Sequence, residues 1–110
     1  MVAKADVLPA PPDSTRDGIL EAARQRFLRF GVPKTTMDEV AREAGCSRTT
    51  LYSYFRNKED LYARLLEQDA EEFIREASGV LAASARAGEK IRRIVEITRQ
   101  TYARNHVMRL

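Results

Sequence analysis

Three observations predict an all-α fold. Residues 35–58 read T-T-M-D-E-V-A-R-E-A-G-C-S-R-T-T-L-Y-S-Y-F-R-N-K, two short capped segments with a glycine between them, which is the layout of a helix-turn-helix. Before and after that unit, apolar residues recur at intervals of three and four, the period of amphipathic helices. The 110 residues, 44% hydrophobic and 32% charged, suffice for one ordinary domain with a modest core. The expected order is a three-helix head, then a long linker helix and at least one further helix.

Residues 1–12, rich in proline at their end, read as a flexible N-terminal arm. The first helix follows. Asp13 or Ser14 can cap it, Ser14 and Asp17 are spaced like a capping box, and Gly31 stands where a C-terminal glycine belongs. Ile19, Ala23, Phe27 and Phe30 form one stripe of a helix of about sixteen residues. Arg24, Arg26 and Arg29 lie off that stripe and read as a solvated basic face. Pro33 in G-V-P-K fixes φ and keeps the next turn short.

The helix-turn-helix spans residues 36–55. Thr36 and Glu39 make a capping box, and Met37, Val40, Ala41 and Ala44 share one face of a helix only about two turns long. Gly45 is free to take positive φ and so ends it with a sharp change of direction. Ser47 caps the second helix, and Leu51 and Phe55, four apart, give it a buried edge.

A helix-turn-helix presents its second helix to the DNA major groove, so DNA binding is the functional expectation. At about 100° per residue, Thr49 and Ser53 point away from Leu51 and Phe55, while Thr50 and Tyr52 flank them. Hydroxyls serve phosphates or base edges, and a groove-facing helix without carboxylates does not repel the backbone. Arg48 has its Cβ nearer the buried edge, but from the first turn its long side chain can swing out to a guanine O6/N7 pair or to a phosphate. Tyr52 and Tyr54 fit a packed amphipathic role as well as a DNA contact, and Thr35 and Thr36 fit a simple cap.

Asn57 caps the linker helix, whose first turn, K-E-D-L, carries acids suited to the helix dipole. Leu61, Leu65, Leu66, Phe73, Ile74, Ala77 and Leu81 give it a broad apolar surface to about residue 83. A break at S-A-R-A-G, punctuated by Gly88, precedes a helix from Glu89 to about Arg104, with Ile91, Ile94, Val95, Thr98 and Tyr102 on one face and its basic residues elsewhere. The final N-H-V-M-R-L reads as the start of another helix with nothing to pack against.

The net charge of +3 is not itself the warrant for a DNA partner. Residues 14–60 hold nine Lys/Arg against seven acids, residues 61–83 are acidic, and residues 84–110 are basic. Local placement of Arg48, Arg56 and Lys58 carries the electrostatic argument instead. No apolar run approaches the ~18 residues of a membrane span, so a cytoplasmic protein with no membrane partner is expected. The lone Cys46 reads as a buried structural thiol. A single histidine, His106, and no phosphate-binding glycine loop give catalysis no foothold, so no enzyme, metal or cofactor is expected.

The stretch from Ser14 to about Phe73 resembles the DNA-binding domain of TetR/AcrR-type transcriptional regulators. The resemblance rests on I-L-E-A-A-R-Q-R-F ending at Gly31, the Thr pair, D-E-V-A-R-E-A-G-C-S and above all L-Y-S-Y-F-R-N-K-E-D-L. It implies a DNA-binding domain over residues 13–73, a linker helix opening at Lys58, and over residues 74–110 the first part of a truncated helical regulatory domain. It further implies that Thr35 and Thr36 touch phosphates, that Arg48, Thr49, Thr50, Ser53 and Tyr54 face the groove, and that Tyr52 and Lys58 hold the DNA backbone, with Ser47 counted in the same set. Thr49 and Ser53 depart from the commonest family pattern, which has a small residue such as Gly near the first and a bulky one near the second.

The resemblance implies an effector-responsive repressor that binds double-stranded DNA at a palindromic operator, as a homodimer in its full-length form, with an unknown small-molecule effector. The alternative expectation is a truncated interaction module of the same family without effector binding or useful DNA affinity. Relatives are nearly twice this length, so the chain is expected to be incomplete as a regulator. By itself it should be monomeric or aggregate through Ile91, Ile94, Val95 and Tyr102.

Overall fold

A computed structural model describes residues 12–109, and the side chains of residues 15–109. Most of the expected N-terminal arm therefore lies outside the described residues, as do the side chains of the cap candidates Asp13 and Ser14. The described chain is five α-helices: α1 (Pro12–Phe30), α2 (Met37–Ala44), α3 (Arg48–Tyr54), α4 (Lys58–Ala82) and α5 (Ala87–Arg109). No strand occurs among the described residues.

Helix α1 is longer than the stripe predicted, because Pro12 opens it; a proline at the first helical position gives up an N–H that the helix does not use. Gly31, at φ 85°, ends it by donating its N–H to the Phe27 carbonyl at 2.8 Å. Ile19, Ala23 and Phe27 are buried as predicted, and Leu20 and Ala22 join them. Phe30 does not: it is 43% exposed, lying under Arg26 at 4.4 Å and Arg29 at 5.7 Å. At about 100° per residue Phe30 lies only about 20° around the helix from Ile19, so the stripe keeps its direction. Phe30 is the last residue of α1, and there its ring meets arginines instead of the core.

The head core gathers around Phe27. Val40 and Ala41 of α2, Leu51 of α3, Phe55 and Leu61 and Leu65 of α4 close on it, with Cys46 packed half-buried at the margin. Each fully buried Leu or Phe contributes roughly 1.5–3 kcal/mol.

Helix α4 leaves the head and α5 returns to it. At the far end Lys90 Nζ donates to the Leu81 carbonyl at 2.8 Å, and at the near end Val32 N–H donates to the Met108 carbonyl at 2.8 Å. The N-H-V-M-R segment is thus the last turn of α5, not the start of a new helix, and Met108 is fully buried in the head core. The expected break centred on Gly88 lies earlier, at residues 83–86, and Gly88 belongs to the first turn of α5.

The basic face of α1 is also different from the expected solvated one. Arg24 makes a two-pronged contact with Asp69 of α4 at 2.9 and 3.4 Å, and Arg104 of α5 reaches the same carboxylate at 3.4 Å. Asp69, 4% exposed, is the shared anchor of three helices. Arg26 spans to α2, 3.4 Å from Glu39 and 3.8 Å from Glu43.

Further out on the hairpin of α4 and α5, Ile74, Leu81, Ile91, Val95 and Tyr102 are exposed. No described helix is long and apolar enough to cross a membrane.

Candidate nucleic-acid interface

The candidate interface is built by two caps and a glycine turn. Thr36, at φ −111° and ψ 157°, accepts the Glu39 N–H on its hydroxyl at 3.2 Å, while Glu39 Oε1 accepts the Thr36 N–H at 2.9 Å. This reciprocal pair fixes where α2 starts. The Thr36 N–H holds the Glu39 carboxyl below the ordinary glutamate range, and the nearby Arg26 guanidinium adds to the effect. At the other end Gly45 adopts φ 72°, with Gly45 N–H bonded to Arg42 O and Cys46 N–H to Ala41 O, a Schellman closure.

The chain then turns into α3. Ser47 Oγ accepts the Thr50 N–H at 3.0 Å and donates to Thr50 Oγ1 at 2.9 Å, and Ser53 Oγ donates to the Thr50 carbonyl at 2.6 Å. Leu51 and Phe55 fasten one edge of α3 to the core, so Arg48, Thr49, Tyr52, Ser53 and Tyr54 stand exposed, with Thr50 half-buried.

A shallow groove of about 360 Å³ brings together Thr36, Arg48, Tyr52 and Lys58, with Asp38 and Glu59 on its walls. Lys58 is held there by the turn before α2: its ammonium donates to the Pro33 carbonyl at 3.1 Å and to the Thr35 carbonyl at 3.0 Å. An ammonium carries three donors, so one remains for an outside acceptor. Asn57 caps α4 by accepting the Asp60 N–H at 2.8 Å, and Asp60 accepts the Arg56 N–H at 3.1 Å.

Thr35 is the one predicted site residue that the structure turns inward. It is fully buried, and its hydroxyl donates to the Gly31 carbonyl at 2.8 Å. In this arrangement it closes the α1–α2 turn and presents only its carbonyl, to Lys58. The sequence showed a Thr pair, but not that one hydroxyl is consumed by the carbonyl four residues earlier.

Sequence reasoning also missed Asp38. Its carboxylate lies 3.2 Å from Arg48 Nη1, and Arg48 Cζ is 5.5 Å from the centroid of the Tyr52 ring. The face of α3 is free of carboxylates, yet an acid from α2 stands against its first residue. The signal was an Asp two places after the Thr36 cap, which helix-dipole chemistry alone explains; the pairing crosses a turn and leaves no periodicity.

Residues 19–65 match the model of the family described as bacterial regulatory proteins, tetR family. The chain is 36% identical over 75 residues to the uncharacterized HTH-type transcriptional regulator YhgD of Bacillus subtilis, covering 68% of this chain and 39% of that one. It is 37% identical over 57 residues to the HTH-type transcriptional repressor SCO4008 of Streptomyces coelicolor, covering 52% of this chain and 30% of that one. Among solved structures, a transcriptional regulator from Cytophaga hutchinsonii superposes with a TM-score of 0.82 at 27% identity, over 88% of this chain and 50% of that one. The chain spans half or less of the length of each of these relatives.

Proposed function

Because the chain belongs, through residues 19–65, to the tetR family of bacterial regulatory proteins, we propose that it is a sequence-specific DNA-binding transcriptional regulator. The observation that carries this reading is the exposed polar edge of α3, set by Ser47 and Leu51 beside the anchored ammonium of Lys58. Helix α3 enters the major groove and offers Arg48, Thr49, Thr50, Ser53 and Tyr54 to the bases, with Ser47 at its rim. Thr36, Tyr52 and Lys58 hold the phosphates that set its register.

The fuller reading is a repressor acting as a dimer on a palindromic operator, its two α3 helices ~34–36 Å apart in successive major grooves. The Streptomyces relative, named as a transcriptional repressor, supports that sign. Residues 13–73 form the DNA-binding part, and residues 74–110 belong to a helical domain whose occupation by a small effector alters the spacing of the two heads. The clamp of Arg24 and Arg104 on Asp69 and the seating of Met108 in the head core support such transmission, since a shift of α5 moves the head with it.

A second reading, an interaction module of the same family without useful DNA affinity, is favoured by the exposed Ile74, Leu81, Ile91, Val95 and Tyr102. Gel shift on the intergenic DNA beside its own gene, run together with sedimentation, decides between them. A dimer that shifts this DNA in preference to a scrambled duplex supports the regulator; a chain that self-associates and shifts neither supports the module.

A further inference from the structure

We propose that Asp38 and Arg48 act as one unit that reads a guanine–cytosine base pair, so that Asp38 is a specificity-determining residue. This rests on the DNA-binding reading above. The two side chains come from different helices and meet at the edge of the groove: Arg48 Nη1 is 3.2 Å from Asp38 Oδ1 and 3.5 Å from Oδ2. Both remain more than half exposed, so the pair is presented to an outside partner.

The contact engages Nη1. The Nε and Nη2 donors have no acceptor among the described residues, and they form the side-on fork of the guanidinium. The Tyr52 ring, 5.5 Å from Cζ, limits the tilt of the guanidinium plane. A fork held at one corner and steadied over a ring is preorganised for a bidentate acceptor.

The carboxylate decides which acceptor that is. A phosphate is drawn by net positive charge, and an arginine already balanced by Asp38 offers little; the carboxylate also repels the phosphate directly. The O6 and N7 atoms of guanine are neutral acceptors spaced for the fork and carry no charge for Asp38 to repel. On the same base pair, beside guanine O6, cytosine presents N4–H, the one major-groove donor of that pair. A carboxylate that shares one nitrogen of Arg48 keeps lone pairs to accept it. Asp38 thereby turns Arg48 from a backbone clamp into a base reader.

Selection from a random duplex library with the full chain, the Asp38→Ala and Asp38→Asn variants and Arg48→Ala tests the unit. The wild type is expected to select a site with guanine fixed at one position of each half-site, and Arg48→Ala to lose that position. In Asp38→Ala the guanine preference should fall about tenfold, binding to random duplex should strengthen, and the log–log salt slope should steepen by about one unit as Arg48 turns to a phosphate. Replacing the selected guanine by 7-deazaguanine, which lacks N7, should weaken the wild type about tenfold and Asp38→Ala much less. Asp38→Asn removes the charge at constant shape and should steepen the slope likewise, which keeps the test alive if the alanine variant fails to fold. A selected site that wild type and both Asp38 variants read with the same guanine preference overturns the unit while leaving DNA binding intact. A uniform gain on all DNA without a change in preference also overturns it, making Asp38 a plain repulsive charge. If the wild type selects no sequence at all, the DNA-binding reading itself falls.

Discussion

Val32 donates its backbone N–H to the Met108 carbonyl at 2.8 Å, which ties the last turn of α5 to the turn that leads into the helix-turn-helix. The Met108 side chain follows its carbonyl into the head core and is fully buried. Met108→Ala should therefore destabilise the fold by about 2–5 kcal/mol, the range for losing a buried methionine side chain to a cavity. Val95→Ala, on the exposed face of the same helix, should stay within about 0.5 kcal/mol. Urea denaturation of the two variants checks this, and equal midpoints would mean that α5 is not part of the head's cooperative unit.

Asp69 is the next joint. With Arg24 and Arg104 both turned on its carboxylate, Asp69→Ala leaves one guanidinium that is only 17% exposed without its partner. The expected cost is about 3 kcal/mol, the lower end for breaking a buried pair, because Arg104 can still reach water. Replacing the first pair by Arg24→Met with Asp69→Leu should recover most of that loss, since apolar packing often substitutes for a buried ion pair. A loss below about 0.5 kcal/mol in the alanine variant would place the triad with ordinary surface salt bridges.

What the sequence made legible follows from what is local in it. The box at Thr36 and Glu39, the left-handed Gly45, the caps at Ser47 and Asn57 and the buried pair Leu51 and Phe55 each depend on residues within one or two turns, and all are present as expected. The contacts that position the candidate site are not local. Lys58 reaches back to Pro33 and Thr35, Asp38 meets Arg48, and Arg24 finds Asp69 across helices. Such pairings are set by how the helices cross, and a one-dimensional period carries no trace of them. The same reason explains Phe30 and Met108: helical spacing placed the first in the core and left the second outside, whereas tertiary packing reverses both.

Acid should loosen the start of α2. The Glu39 carboxyl is held below its ordinary value of 4.5, first by accepting the Thr36 N–H and then by the Arg26 charge. A depressed carboxylate contributes stability that is fully present above the ordinary value and is lost as pH falls through the lower folded value. Between about pH 6 and pH 3 the wild type should lose urea resistance more steeply than Glu39→Gln, which retains a side-chain acceptor for Thr36 but does not titrate. Parallel pH profiles for the two proteins would show that the box contributes nothing that depends on charge.

Thr35 and Lys58 were expected to share one role, and the structure separates them. The Thr35 hydroxyl is committed to the buried Gly31 carbonyl, so Thr35→Val should cost about 1–2 kcal/mol of stability by leaving that carbonyl unpaired. Its DNA affinity, measured where the variant is fully folded, should keep the wild-type dependence on salt. Lys58 spends two of its donors on the Pro33 and Thr35 carbonyls and presents the rest of its charge at the groove. Lys58→Ala should therefore weaken random and selected duplexes alike and reduce the log–log salt slope by about one unit. Fluorescence anisotropy over a range of salt concentrations separates the two variants. An unchanged slope in Lys58→Ala would make that residue a clasp for the α1–α2 turn only, and a reduced slope in folded Thr35→Val would show that the hydroxyl leaves Gly31 when DNA arrives.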